Sequence, residues 1–293
     1  MSVVGLAPQQ PQPDVQEGIE YWNTQPASYD GVLGGFGKGS LPRVDALGSR
    51  LFLLGLYPQL STVPSAFRAL EAPADLPRVR ALDVGAGVGR VTADVLLHLV
   101  SDVVLLEPVE PFVNEALNRA RASASNRTNG AKVSWPGLAD QSKSVTILQG
   151  TLQDFHPRMP HRARFLDRVG YQPPRPQDGV GAGFDVIWCQ WCLGHLSDSD
   201  LILFLQRSLE SLNDHARSLI VVKENVCSDG PQGEPVEMFD EEDSSLTRSD
   251  AAWKLVFKRA GLDLIKDQVQ EGLPEGLFVV KMYALKPTYT GSS

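Results

Sequence analysis

The segment ALDVGAGVGR, residues 81–90, constrains this chain more than any other. VRALDV before the turn is a short, aliphatic run of the kind that forms a buried strand, and VTADVLLHLV after it reads as a helix. Between them Gly85, Gly87 and Gly89 fall at alternate positions. Glycines there let the backbone bend tightly and approach a ligand, and the helix N-terminus behind them offers free N–H groups to an anion. DVVLLE is a second strand, and it ends on Glu107, some 18 residues after Gly89. A carboxylate at that place accepts hydrogen bonds from both hydroxyls of a ribose. The order strand, glycine turn, helix, strand, acid therefore predicts an α/β unit that binds a nucleoside.

The rest of the chain keeps that rhythm. SVTILQG, FDVIWCQW and RSLIVVKEN read as strands, alternating with the helical runs PVEPFVNEALNRARASA, SDSDLILFLQRSLESL and SDAAWKLVFKRAG. Such alternation predicts a parallel sheet covered on both faces. DLIKDQVQ and GLFVVKMYAL are joined by only a few residues, which predicts an antiparallel hairpin at one edge. Residues 1–15, rich in Pro and Gln, read as a disordered tail, and residues 16–290 as a single domain. VQEGIEYWNTQ predicts a short helix, residues 29–40 a glycine-rich loop, and DALGSRLFLLGLY a helix with Asp45 as its N-cap. These elements, residues 16–60, are expected to cover the site. Two polar segments, 123–143 and 156–183, read as surface insertions. The second carries Arg158, Arg162, Arg164, Arg168 and Arg175 against Asp167 and Asp178. It reads as a mobile surface loop, with a basic patch for ribosome or RNA contact as the sharper alternative.

Charge and cysteine content exclude several classes. Lys and Arg number 27 against 35 Asp and Glu, a net charge of −8, which argues against a general nucleic-acid binder. No apolar run approaches the ~18 residues that span a bilayer, and MSVVGLAPQQPQP lacks the pattern of a secretory signal. The 3 Cys fit a reducing compartment, and the cytoplasm is the expected location, with the nucleus left open. Cys189 and Cys192 have C-x-x-C spacing with His195 close behind, but Cys189 falls on a buried strand and no second pair exists. Free buried thiols are expected rather than a metal site.

A nicotinamide dinucleotide site favours G-x-G-x-x-G, because a pyrophosphate rests on the helix. Here the form is G-x-G-x-G with Asp83 two residues ahead. It resembles motif I of the class I S-adenosylmethionine-dependent methyltransferases. YWNTQPASYDGVLGGFG, ALDVGAGVGR, LQDF, FDVIWCQWCLGHLSD, VVKEN, DEEDSS and GLPEGLFVVKMYAL occur in an order that resembles the alpha-N-terminal protein methyltransferases. That resemblance implies a Rossmann-like mixed sheet of seven strands with helices on both faces. It also implies methyl transfer from S-adenosyl-L-methionine to the α-amino group of proteins beginning Xaa-Pro-Lys or Xaa-Pro-Arg, ribosomal proteins among them.

The resemblance also implies roles. Gly85, Gly87 and Arg90 match the cofactor turn, with Arg90 near the cofactor carboxylate. Glu107, Pro108 and Val109 match the ribose and adenosine contacts, Leu152 and Gln153 the adenine contact, and Gln190 the methionyl end. Trp22, Leu33 and Trp191 match the walls of the substrate channel, and Asn225 a contact to the first two substrate residues. His195 and Asp243 match proton acceptors, and Asp240 and Ser245 contacts to the basic third residue. Two departures stand out: Glu107 where the family usually has Asp, and Phe278 where it often has Tyr. A small-molecule N- or O-methyltransferase and a non-enzymatic binding module are the competing readings.

Overall fold

The computed structural model describes residues 11–61, 77–125, 134–174 and 182–288. Among the described residues, three α-helices and a short 3-10 turn (Pro58–Leu60) precede the sheet: α1 (Val15–Thr24), α2 (Tyr29–Val32) and α3 (Leu41–Leu56). Then come β1 (Arg80–Val84), a π-helical turn (Thr92–Leu96) running into α4 (Leu97–Leu99), β2 (Asp102–Glu107), α5 (Glu110–Ala124), β3 (Ser144–Gln149) and β4 (Arg164–Gly170). β5 (Val186–Gln190), α6 (Asp198–Glu210) and β6 (Leu219–Val226) complete the parallel part. The chain closes with β7 (Glu237–Asp240), β8 (Ser245–Arg248), α7 (Asp250–Arg259), β9 (Leu262–Val269) and β10 (Val279–Pro287).

The main sheet has eight strands in the order β4-β3-β2-β1-β5-β6-β10-β9. β1 pairs in parallel with both β2 and β5, so the strand order reverses at β1. In an open α/β sheet the crevice at such a reversal, beyond the carboxyl ends of the strands, is where ligands bind. Every residue of β1 and of β5 is buried, as expected of strands covered on both faces. One apolar cluster packs α3, α4 and α5 against one face, and another packs α6 and α7 against the other. β10 runs antiparallel to β6 and β9, as its short connection predicts. No helix among the described residues is long and apolar enough to cross a membrane.

Four local expectations change. The eighth strand, β4, comes from the segment read as a mobile basic loop. It is an edge strand with a mostly exposed start, so it lacks the alternation that marks a half-buried strand. Arg168 on it bonds Asp102 and the Ser144 hydroxyl, while Arg175 and Asp178 lie outside the described residues. Of the other polar segment, Trp135 and Leu138 are core residues and 126–133 are not described. In the acidic segment EPVEMFDEED, residues 234–243, which reads from the sequence as part of a long loop, β7 forms and pairs with β8 just beyond it as a small hairpin.

The fourth change is Asp45. The helix begins earlier, with Ser40 at the N-cap position and Pro42 in the first turn, where its missing N–H is tolerated. Asp45 lies inside α3, fully buried, paired with Arg90 at 2.5 Å and Lys223 at 2.6 Å. At the front of the chain, Asp14 caps α1 by accepting the Gln16 and Glu17 N–H groups.

Candidate active site

Two clefts open at the carboxyl ends of β1, β5 and β6. The first encloses about 950 Å³, part of it open to solvent, and has a mainly apolar lining. Gly85, Gly87, Arg90, Glu107, Pro108, Val109, Leu152, Gln153 and Gln190 all line it, so the residues expected to hold the cofactor gather in one place.

The glycine turn makes this possible. Gly85, Gly87 and Gly89 all have positive φ, and a Cβ on Gly85 would lie 2.3 Å from Cys192 Cβ. Glu107 closes the turn from the neighbouring strand. Its Oε2 accepts the Gly87 N–H at 2.7 Å and its Oε1 the Val109 N–H at 2.8 Å. Burial pushes its carboxyl up to about 7, against the pull of those two N–H groups. Asp83, also buried, accepts the Thr92 hydroxyl at 2.6 Å, and burial lifts it to about 6. Arg90 gives one N–H to Asp45, and its guanidinium lies 5.3 Å from the Trp191 ring centre. Gln190 donates to the same carboxylate at 2.9 Å and accepts from Trp188. Gln153 donates to the His195 carbonyl at 3.3 Å.

The second cleft, about 1050 Å³, is lined by Trp22, Leu33, Trp191, His195, Asn225, Asp243 and Ser245, together with Phe278. Asp240 stands across the hairpin from Ser245, exposed, with its carboxylate accepting the Glu242 N–H; it does not line the cleft. Trp22, Val32, Trp191 and His195 line both clefts and so mark the junction. Trp22 Nε1 donates to His195 Nε2 at 3.0 Å. Burial lowers the pKa of His195, with Asp243 pulling the other way, so the ring is neutral near pH 7 and carries its proton on Nδ1. Gly18 of α1 lets the cover approach, since a Cβ there would lie 3.2 Å from His195 Nδ1. The Asp14 N–H on Ser244 Oγ ties the start of that helix to the β7–β8 turn.

Three buried polar atoms at this junction lack hydrogen-bond partners: Trp191 Nε1, His195 Nδ1 and Asp243 Oδ1. Each such atom costs about 1–3 kcal/mol, so a cluster of them in a cleft is the mark of a site built for a polar ligand.

Three buried charged residues at or behind the clefts, Glu224, Lys223 and Asp45, were not among the site residues expected from the sequence. Trp191 has φ 54°, a left-handed conformation that costs a bulky residue. Glu224, lining the second cleft, holds the following turn: its Oε1 accepts the Cys192 and Leu193 N–H groups, both at 2.9 Å. Burial pushes Glu224 up to about 7. Its neighbour Lys223 and the distant Asp45 are the other two. The available signal was KE inside LIVVKENV, two charges in a strand whose other residues are mostly apolar and buried. All three cysteines are buried free thiols.

The comparisons with known proteins agree with this geometry. A sequence model of the family described as AdoMet-dependent proline di-methyltransferase matches residues 11–286. An alpha N-terminal protein methyltransferase 1 from Schizosaccharomyces pombe is 35% identical over 277 residues, 94% of this chain and 98% of that protein. An N-terminal Xaa-Pro-Lys N-methyltransferase 1 from Danio rerio is 32% identical over 92% of this chain and 94% of its own length. Among solved structures, a SAM-dependent methyltransferase from Leishmania major is 30% identical with a TM-score of 0.64, covering 92% of this chain and 82% of that one. The cleft offers a buried carboxylate for a ribose diol and a guanidinium for an α-carboxylate between apolar walls, a donor set that fits S-adenosylmethionine. Sequence, fold and cleft together place the chain in the AdoMet-dependent proline di-methyltransferase family, as an S-adenosylmethionine-dependent methyltransferase.

Proposed function

We propose that this enzyme methylates the α-amino group of proteins whose exposed N-terminus reads Xaa-Pro-Lys or Xaa-Pro-Arg. The observation that carries the reading is the junction. The cofactor cleft meets a second, larger cleft at Trp22, Trp191 and His195, with an unpaired carboxylate oxygen of Asp243 in its wall.

When bound, S-adenosylmethionine supplies a methyl group on a sulfonium sulfur. Glu107 would hold the ribose hydroxyls and Arg90 the carboxylate, with Gly85 and Gly87 giving room for close approach. Pro108, Val109, Leu152 and Gln153 flank the adenosine, and Gln190 the methionyl end. The acceptor must be a neutral amine. A free α-amino group has a pKa of ~8, so a useful fraction is neutral near pH 7 and only modest base assistance is needed. Asp243 Oδ1 takes that proton. His195 Nε2 is already engaged by Trp22, so His195 serves chiefly to place that indole. Asn225 anchors the start of the peptide. The rigid second-position proline packs between Trp191 and Leu33. Most of the acceleration would come from the two clefts holding the amine nitrogen where it can receive the methyl group.

The exposed carboxylates of Asp240, Glu241 and Glu242, with Ser245 beside them, suit a basic third residue. Indole faces tolerate the cationic, methylated product, so up to three methyls are added, or two when the first residue is proline. Ribosomal proteins with such N-termini are the proposed substrates, and the cytoplasm the proposed compartment. A substrate panel tests the specificity. Ser-Pro-Lys and Ser-Pro-Arg peptides are expected to turn over, Ser-Pro-Glu at least 10-fold less well, and small amines and phenols not at all. Turnover of the small acceptors in preference to the peptides would support a small-molecule methyltransferase instead.

A further inference from the structure

The buried charges behind the cofactor cleft do not balance. Arg90 and Lys223 are both cations, and Asp45 between them is a single carboxylate that is completely buried. Its Oδ2 lies 2.5 Å from Arg90 Nη1 and its Oδ1 2.6 Å from Lys223 Nζ. Lys223 is also completely buried. It reaches Ser49 Oγ at 2.9 Å, Gln270 Oε1 at 2.8 Å and the Asp45 carbonyl at 3.3 Å. Burial would push the Asp45 carboxyl up, but the two cations hold it below its ordinary value, so it stays charged; burial pulls the Lys223 ammonium down, and the Asp45 carboxylate pulls it back up. Arg90, Asp45 and Lys223 thus carry one net positive charge among the three, and the buried Asp83 carboxylate, which also lines the cleft, interacts with Arg90 through space without a hydrogen bond to it. Replacing such buried ion pairs by apolar groups is often neutral or stabilising, so stability alone does not account for Lys223.

Arg90 is the member of the cluster that reaches the cleft. Among the described residues, only Asp45 accepts a hydrogen bond from its guanidinium. With Arg90 alone, Asp45 would form a neutral pair and cancel the charge that an incoming anion meets. With Lys223 on its other oxygen, it cannot.

We propose that Lys223 is a positioning residue for the methyl donor: by sharing the Asp45 carboxylate, it leaves the charge of Arg90 available to the donor's α-carboxylate. This rests on the reading of Arg90 given above. Lys223 touches neither donor nor substrate and acts through Asp45.

Two ligands and four variants test it by calorimetric binding. S-adenosylhomocysteine carries the α-carboxylate, and 5′-methylthioadenosine has the same nucleoside and thioether without the amino-acid group. Lys223→Met is expected to weaken S-adenosylhomocysteine about 10-fold and to leave 5′-methylthioadenosine within 2-fold, which also shows that the pocket is folded. Lys223→Gln, which removes the charge but can still hydrogen-bond, carries the same expectation. Adding Asp45→Asn to Lys223→Met is expected to restore S-adenosylhomocysteine binding, because the carboxylate that hydrogen-bonds Arg90 is then gone. Equal loss of both ligands, no loss of either, or failure of the double variant to recover would overturn the proposal. Arg90→Met separates the two readings. If it weakens S-adenosylhomocysteine selectively while Lys223→Met does not, only the role of Lys223 falls. If it has no selective effect, the Arg90 assignment falls as well.

Discussion

Replacing Glu107 with Ala is expected to weaken S-adenosylmethionine binding by about 100-fold or more. Two effects add. The ribose hydroxyls lose a charged acceptor, and hydrogen bonds to charged groups are worth about 1.5–3 kcal/mol each. Two of them amount to roughly 3 kcal/mol at the low end, or two factors of ten in affinity. The Gly87 and Val109 N–H groups also lose their partner, so the glycine turn is no longer held in the shape that admits the ligand. Glu107→Gln keeps the volume but aims an amide N–H at one of those donors, and is expected to fall nearly as far. Acidity gives an independent check. Burial holds the Glu107 carboxyl at about 7, and ribose hydroxyls favour its charged form. Donor affinity should therefore be full above about pH 7 and fall by up to tenfold per pH unit below it. Calorimetric titration of both variants and of the wild type across that range measures all of this. Unchanged affinity in the Ala variant would remove Glu107 from the ribose.

The second large effect is expected at the other cleft. Asp243→Asn should lower kcat about 100-fold, the lower end of what a positioned proton acceptor contributes, and leave S-adenosylmethionine affinity within twofold. The separation follows from the layout, since Asp243 lines the second cleft and not the first. Its Oδ1 is buried without a partner, so the change to an amide alters charge more than packing. The loss should shrink as pH rises through ~8, where the α-amine sheds its proton unaided. A loss that persists at pH 9 would mean that Asp243 orients the peptide rather than accepting its proton.

Much of this was legible in the sequence because local order carries it. Strand, glycine turn and acid are adjacent in the chain, and the fold needs only parallel pairing to bring Gly87 against Glu107. The nine cofactor residues line one cleft for the same reason: each sits at or just beyond the carboxyl end of a strand or in the turn after it. Three things were hidden. β4 was hidden because an edge strand of this type, RFLDRVG, has too few buried positions to show a period. The β7–β8 hairpin was hidden because its strands are four residues long and the first is set in an acidic run that reads as solvated loop. Asp45 was hidden because a carboxylate near a helix start reads as a cap. Its partners, Arg90 and Lys223, are 45 and 178 positions away. Only the tertiary fold reveals a pairing over that distance, and with it the charge arithmetic behind the cleft.

The central claim is that the acceptor is the α-nitrogen of a protein chain. Mass spectrometry tests it on two synthetic peptides beginning Ser-Pro-Lys, one with a free α-amine and one acetylated there, each incubated with the enzyme and S-adenosylmethionine. The free peptide is expected to gain mass in steps of about 14 Da, the CH₂ that each methyl adds in place of a hydrogen, and the acetylated peptide to gain none, since acetylation removes the amine's lone pair from play. Equal gains on both peptides would place the methyl on the lysine side chain and contradict the account.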